Sequence, residues 1–137
     1  MKKLSFIAIL FLVGLFSAFA INNNGPSLKF SKERHDYGTL YSDDIPETKL
    51  AIEFSNTGDA PLVLNGVRAC CGTRVVSWPR EPIMPGQKGT INIEFRLAPR
   101  AQRISRTVTV TSNDATNPTS IFRINGQVVT REAEPPK

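Results

Sequence analysis

The chain has 137 residues, 40% of them hydrophobic and 21% charged, with two cysteines, one histidine and a formal net charge of +5. Part of that charge belongs to Lys2 and Lys3; beyond residue 20, 15 basic residues face 12 acids, an excess of +3. An excess of that size suits solubility and weak attraction to anionic surfaces. With no basic motif interleaved with aromatics, it excludes nucleic-acid binding.

Met1-Lys2-Lys3 is a short positive region, followed by an apolar run from Leu4 through Phe16 and then by Ala18-Phe19-Ala20, the small-x-small pattern of a secretory cleavage site. A membrane anchor is the alternative. Leu4 to Ala20 is 17 residues, the short limit for a bilayer span, and no basic stop-transfer cluster follows. No cysteine follows the cut, which excludes a lipoprotein signal. The expectation is a signal peptide over 1–20 and an exported chain, periplasmic or secreted, with no stable membrane span after cleavage. Removing 20 of the 137 residues leaves 117, enough for one domain with its own core.

Residues 21–27 (INNNGPS) are polar and form a lead-in. Leu28-Lys29-Phe30 opens a first strand that Glu33 to Leu40 continues, with Gly38 marking a bulge or bend. Residues 42–47 form a loop. In Leu50 to Ser55 apolar and polar residues alternate, the period of a strand with one buried face. Asn56-Thr57-Gly58-Asp59 stops it with turn chemistry, and Pro61 leads into a strand at Leu62-Val63-Leu64.

Both cysteines come next. Arg74 to Trp78 reads as a short strand, and Pro79, Pro82, Pro85 and Gly86 then break the chain. Thr90 to Leu97 alternates most clearly, with Ile91, Ile93, Phe95 and Leu97 on one face. Residues 98–102 turn, and Ile104 to Thr111 returns with Val108 and Val110 inward and Thr107, Thr109 and Thr111 outward. Arg106 shares the inward parity, so either its charge snorkels out at the end of the sandwich or a bulge intervenes. Residues 112–118 are a turn cluster, Ser120 to Val129 is the last strand, and residues 130–137 read as a disordered tail. About seven short strands with turn signals every ~8–12 residues predict an all-β sandwich over 28–129. Adjacent cysteines exclude an antibody-type domain, which needs one on each of two distant strands.

The segments His35-Asp36-Tyr37-Gly38-Thr39, Phe54 to Leu62, Trp78 to Ile83, Pro85 to Gly89, Val108 to Asn113 and Ile124-Asn125-Gly126 together resemble the exported bacterial family called domain of unknown function 1573. The resemblance covers roughly residues 28–129. It implies an immunoglobulin-like seven-stranded β-sandwich, similar to major sperm protein and hydin-type domains, and no known enzymatic activity. Where that family usually reads Cys-Gly-Cys-Thr, this chain reads Cys70-Cys71-Gly72-Thr73.

Cys70 and Cys71 are the main candidates for chemistry. Neighbouring α-carbons stand ~3.8 Å apart, below the ~4.4–6.8 Å usual for a disulfide. Consecutive strand residues also point to opposite faces, so only irregular backbone at Gly72 would bring both sulfurs together. The favoured reading is two thiols without chemistry, one buried and one near the surface. A disulfide to a partner, a vicinal redox disulfide, and a Cu(I) or zinc site completed by His35 are the alternatives. His35 reads as a structural strand histidine rather than a base for a cysteine nucleophile.

Glu53 and Glu94 alternate with core residues, face solvent and should meet cross-strand cations. Arg96, Arg100, Arg103, Arg106 and Arg123 gather on the last strands. They would contact an anionic glycan or an acidic patch of a partner, or act as a charged edge that discourages aggregation. Trp78 is expected as a plug over one end of the sandwich.

The reading is therefore an exported non-catalytic module without cofactor. It would act on another envelope or secreted protein through strand edges and loops, strand addition included. A thiol-redox or soft-metal protein centred on Cys70 and Cys71 is the alternative. A glycan binder using the arginines ranks third.

Overall fold

The structure, a computed structural model, describes residues 25–131. The segment read as a signal peptide, residues 21–24 and residues 132–137 lie outside the described residues. Eight strands form two four-stranded sheets: β1 (Leu28–Phe30), β2 (Arg34–Tyr41), β3 (Lys49–Asn56), β4 (Leu64–Ala69), β5 (Thr73–Ser77), β6 (Lys88–Phe95), β7 (Gln102–Ser112) and β8 (Thr119–Val129). The first sheet has the order β1-β3-β6-β5 and the second β2-β8-β7-β4. All pairings are antiparallel except β2 with β8.

The all-β sandwich is as expected, but it has eight strands rather than seven. Leu28–Phe30 and Arg34–Tyr41 are separate strands in different sheets. The exposed run Ser31-Lys32-Glu33 is polar and carries the chain from one sheet to the other. Gly38 (φ 64°) does mark a bulge, and the β2–β8 register shifts between Asp36 and Thr39. A second difference concerns Leu62-Val63-Leu64. Leu62 makes only an isolated bridge to Ile83, and the strand begins at Leu64 and runs to Ala69. Gly66 does not end it, because a register shift between Leu64 and Gly66 absorbs the irregularity.

The alternating positions deliver the core. Ile52 and Phe54 of β3 and Ile91, Ile93 and Phe95 of β6 face Ile104, Val108 and Val110 of β7 and Phe122, Ile124 and Val128 of β8. Two edge-to-face ring pairs help fasten the sheets, Phe30 on Phe122 (5.5 Å) and Tyr37 on Phe95 (5.8 Å). Burial raises the Tyr37 hydroxyl above its ordinary pKa. The β7–β8 register runs unbroken from Gln102 to Thr111, so no bulge redirects Arg106. Its guanidinium reaches over the Phe95 ring (5.7 Å) and donates to the Arg96 carbonyl (3.4 Å), so it snorkels.

One end of the sandwich is closed by polar side chains. Asn56 is wholly buried. Its Nδ2 donates to the carbonyls of Ala60 (2.7 Å) and Ile83 (2.8 Å), and its Oδ1 accepts from the amides of Gly58 (3.0 Å) and Ser27 (3.2 Å). Its own amide donates to Gln87 and its carbonyl accepts from Gly86. Gly58 lies so close to the lead-in backbone that a Cβ there would meet the Gly25 carbonyl oxygen at 2.0 Å. Asp114 is buried beside this site and accepts from the amides of Leu28 (3.1 Å), Thr116 (2.9 Å) and Asn117 (3.0 Å). Beyond the last strand, Arg131 lies over Tyr41 (4.7 Å) and pairs with Asp43 (3.6 Å).

Two outcomes are expected. Asn56→Ala strands the Ala60 carbonyl and the Gly58 and Ser27 amides, while the Ile83 carbonyl keeps the Leu62 amide, so urea denaturation should show a loss of about 3 kcal/mol. Burial acts to raise the Asp114 carboxyl. Hydrogen bonds from the Asn117, Leu28 and Thr116 amides and the Ser27 side chain outweigh it and hold the group below its ordinary value of 3.8. A depressed carboxyl stabilises the fold above its unfolded pKa and ceases to as pH falls through the folded one. Below about pH 4, stability should therefore fall more steeply in the native protein than in Asp114→Asn, measured as thermal midpoint against pH.

Candidate functional site

The two cysteines lie where the chain leaves the second sheet for the first. The Cys70 amide still donates to the Thr107 carbonyl (3.0 Å), as a continuing β4 would. The reciprocal ladder bond is missing, because the Cys70 carbonyl turns to accept from the Thr73 amide (3.2 Å). The Thr107 amide donates to Cys70 Sγ instead (3.3 Å), and the Thr107 hydroxyl lies against the same sulfur (3.3 Å).

Cys71 and Gly72 then take φ of 62° and 74°. Among the described residues Cys71 is the only non-glycine with positive φ, a conformation costing roughly 1–2 kcal/mol. With two left-handed residues in succession the sulfurs no longer point to opposite faces, and the structure joins Cys70 and Cys71 in a disulfide. This differs from the favoured sequence reading of two separate thiols. The physical reason is the backbone: the strand ends at Ala69, so strand alternation does not apply to the pair.

Around this turn, Cys70 is half-buried while Cys71 and Gly72 are exposed. An Arg106 Nη1 stands 3.5 Å from where a Gly72 Cβ would be. The Thr73 hydroxyl is buried without a hydrogen-bond partner. His35 is elsewhere, on the inward side of β2 with its ring edge-to-face on Tyr37 (4.5 Å). Among the described residues no three His, Cys, Asp or Glu side chains gather as a metal site.

The five arginines do not form one cluster. Arg96 and Arg100 are exposed on the connection from β6 to β7, and Arg106 points inward. Only Arg103 and Arg123 lie on the outer face of the second sheet, where register adds two arginines the sequence reading did not select. Arg34 stands beside Arg123 across the parallel β2–β8 pair, and Arg68 stands opposite Thr109 on β4.

Neither is legible in the sequence: Asn65-Gly66-Val67-Arg68-Ala69 shows no clear strand alternation, and nothing local reveals that β2 neighbours β8. Outward positions of this sheet thus carry Arg34, Arg68, Arg103 and Arg123 against a single acid, Asp36. Ile121, 47% exposed, lies among them. Lys29 and Lys32 extend the positive surface along an open groove that Arg34, Arg123, Ile121 and Glu33 also line. Among the described residues none of the four arginines makes an ion pair. One row across the sheet reads Arg34, Arg123, Thr107, Cys70.

On the first sheet the charges are mixed. Glu94 meets Arg74 (3.0 Å), the cross-strand cation expected of it, while Glu53 lies opposite Thr90 without an ion pair among the described residues. Trp78 packs partly buried against the core, with the Arg80 guanidinium 3.7 Å over its ring.

A comparison with curated protein sequences found no match. Among solved structures, a protein of unknown function from Porphyromonas gingivalis W83 superposes with a TM-score of 0.62 at 24% identity, over 77% of this chain and 48% of the other. The secreted serine protease VesC from Vibrio cholerae gives 0.58 at 12% identity, over 77% of this chain and 23% of that one. PapD-like domain 7 of human CEP192 gives 0.50 at 12% identity, over 77% and 87%. The chain thus spans about half the length of the first protein and about a quarter of the second. At these identities the likeness is one of fold, an immunoglobulin-like sandwich of PapD-like type. The family profile described as "Protein of unknown function (DUF1573)" matches residues 28–128, nearly all of the described chain, and this protein belongs to that family.

Proposed function

We propose that this domain is an exported, non-catalytic interaction module that meets an acidic surface of another envelope or secreted protein with the outer face of its second sheet. The observation that carries the reading is the segregation of charge between the two outer faces. Glu94 is paired with Arg74 on the first sheet, and Glu53 shares that face with Lys49 and Lys88. The second presents four exposed arginines against one aspartate. Holding like charges together opposes compaction slightly, and an acidic partner would relieve it. Exposed Ile121 and Tyr41 add apolar area of the kind interface centres use. The apolar, basic N-terminal segment supports export.

The edges of the sheets favour a face over strand addition. β1 is three residues long, and β2, β4 and β5 each carry a register shift. Short or bulged edges discourage the pairing of an added strand.

Affinity capture from the exported fraction tests the reading, comparing the native protein with Arg34→Glu/Arg123→Glu. A partner held at low salt should be lost in the variant and at about 0.5 M salt, while the thermal midpoint stays within a few degrees of native. Capture unchanged by the reversal would overturn the proposal. Capture that survives it but is lost on Val76→Asp would move the contact to the β5 edge.

A further inference from the structure

From the Cys70–Cys71 turn we infer that this protein carries a reducible thiol–disulfide exchange site, in which Cys71 is the sulfur attacked and Cys70 the leaving thiolate. The inference does not depend on the binding face proposed above. Three observations assign the roles. Cys71 is exposed and Cys70 half-buried, so an incoming thiolate has its approach at Cys71. Cys70 Sγ already accepts from the Thr107 amide and lies against the Thr107 hydroxyl, both at 3.3 Å. A neutral disulfide sulfur is a weak acceptor, but a thiolate forms charge-assisted bonds, so these contacts strengthen as negative charge collects on Cys70. Finally, Arg106 stands at Gly72, placing positive charge beside the turn. Donors and cations of this kind lower a thiol pKa, and a lower-pKa thiol is the faster leaving group.

With a dithiol as reductant the exchange balances in two steps. One thiolate of the dithiol attacks Cys71 Sγ. A bond forms between them, and the electron pair of the Cys70–Cys71 bond passes to Cys70, which departs as a thiolate held by Thr107. The second thiolate of the dithiol then attacks its own sulfur within the mixed disulfide, closing the dithiol into a cyclic disulfide and releasing Cys71 as a thiolate. Two electrons move from the dithiol to the protein. The two protons the dithiol gives up go to the cysteines or to solvent, according to pH. Run backward, the same steps oxidise a dithiol.

Dithiothreitol and glutathione are the probes, applied to the folded, exported protein. Intact mass after alkylation should show no adduct before dithiothreitol and two after it, with the circular dichroism spectrum unchanged. With glutathione and rapid acid quench, peptide mapping should place the mixed disulfide on Cys71. Thr107→Val, which keeps shape and removes the hydroxyl, should slow reduction about tenfold. In Cys71→Ser the remaining Cys70 thiol should alkylate with a lower apparent pKa than Cys71 does in Cys70→Ser. Two alkylated thiols before reductant, glutathione mapped to Cys70, or a Thr107→Val rate equal to native would each overturn the assignment. The glutathione mapping uses the native sequence, so it decides the matter even where a variant fails to fold.

Discussion

The buried side-chain amide of Asn56 sustains one whole end of this sandwich. Its two donors and its oxygen make four bonds to three stretches of chain outside the eight strands: the lead-in at Ser27, the turn at Gly58 and Ala60, and the Pro-broken segment at Ile83. Asp114 joins that end to the second sheet by receiving the amide of Leu28, the first residue of β1. Loops that cover a core must satisfy their backbone polar groups, and here two polar side chains supplement the backbone bonds that do so. A hydrophobic residue at either position would leave several groups orphaned, which is the costly arrangement.

The crossings between sheets determine where chemistry sits. The chain passes between the sheets five times: at Ser31–Glu33, over residues 42–48, over residues 57–63, at Cys70–Gly72 and between Phe95 and Gln102. The crossing at Cys70–Gly72 is, with Ser31–Glu33, one of two made in three residues. It interrupts the β4–β7 ladder at Thr107 and leaves that amide facing a sulfur rather than a carbonyl. Neither Thr107 nor Cys70 is unusual in its own segment; the broken ladder makes them partners.

The same geometry relates the two surfaces of interest. The row Arg34, Arg123, Thr107, Cys70 crosses β2, β8 and β7 to the residue just past β4, so the positive face runs up to the cysteine turn. A partner on that face would lie beside the disulfide, and a thiolate formed there would add negative charge at the rim of a cationic surface. Were both proposals met, electrostatics would couple binding to redox state, with reduction weakening the hold on an acidic partner.

By itself the sequence determined the all-β class, the inward set of β3, β6, β7 and β8, the bulge at Gly38 and the pairing of Glu94 with a cation. These follow from period-two alternation and turn residues, which are local signals. It also marked Arg106 as an anomaly, and the snorkelled side chain resolves it. Only the tertiary structure decided the rest. That Leu28–Phe30 and Arg34–Tyr41 belong to different sheets depends on which strand each meets, a non-local matter. Arg34 comes to Arg123 through a parallel pairing 89 positions apart along the chain. Asn56 reads locally as a turn residue, and its role as a hub exists only once distant loops converge on it. The cysteines show the limit most plainly. Strand alternation places their sulfurs on opposite faces, whereas the folded chain abandons the strand one residue earlier, because the link to the other sheet demands left-handed backbone at Cys71 and Gly72.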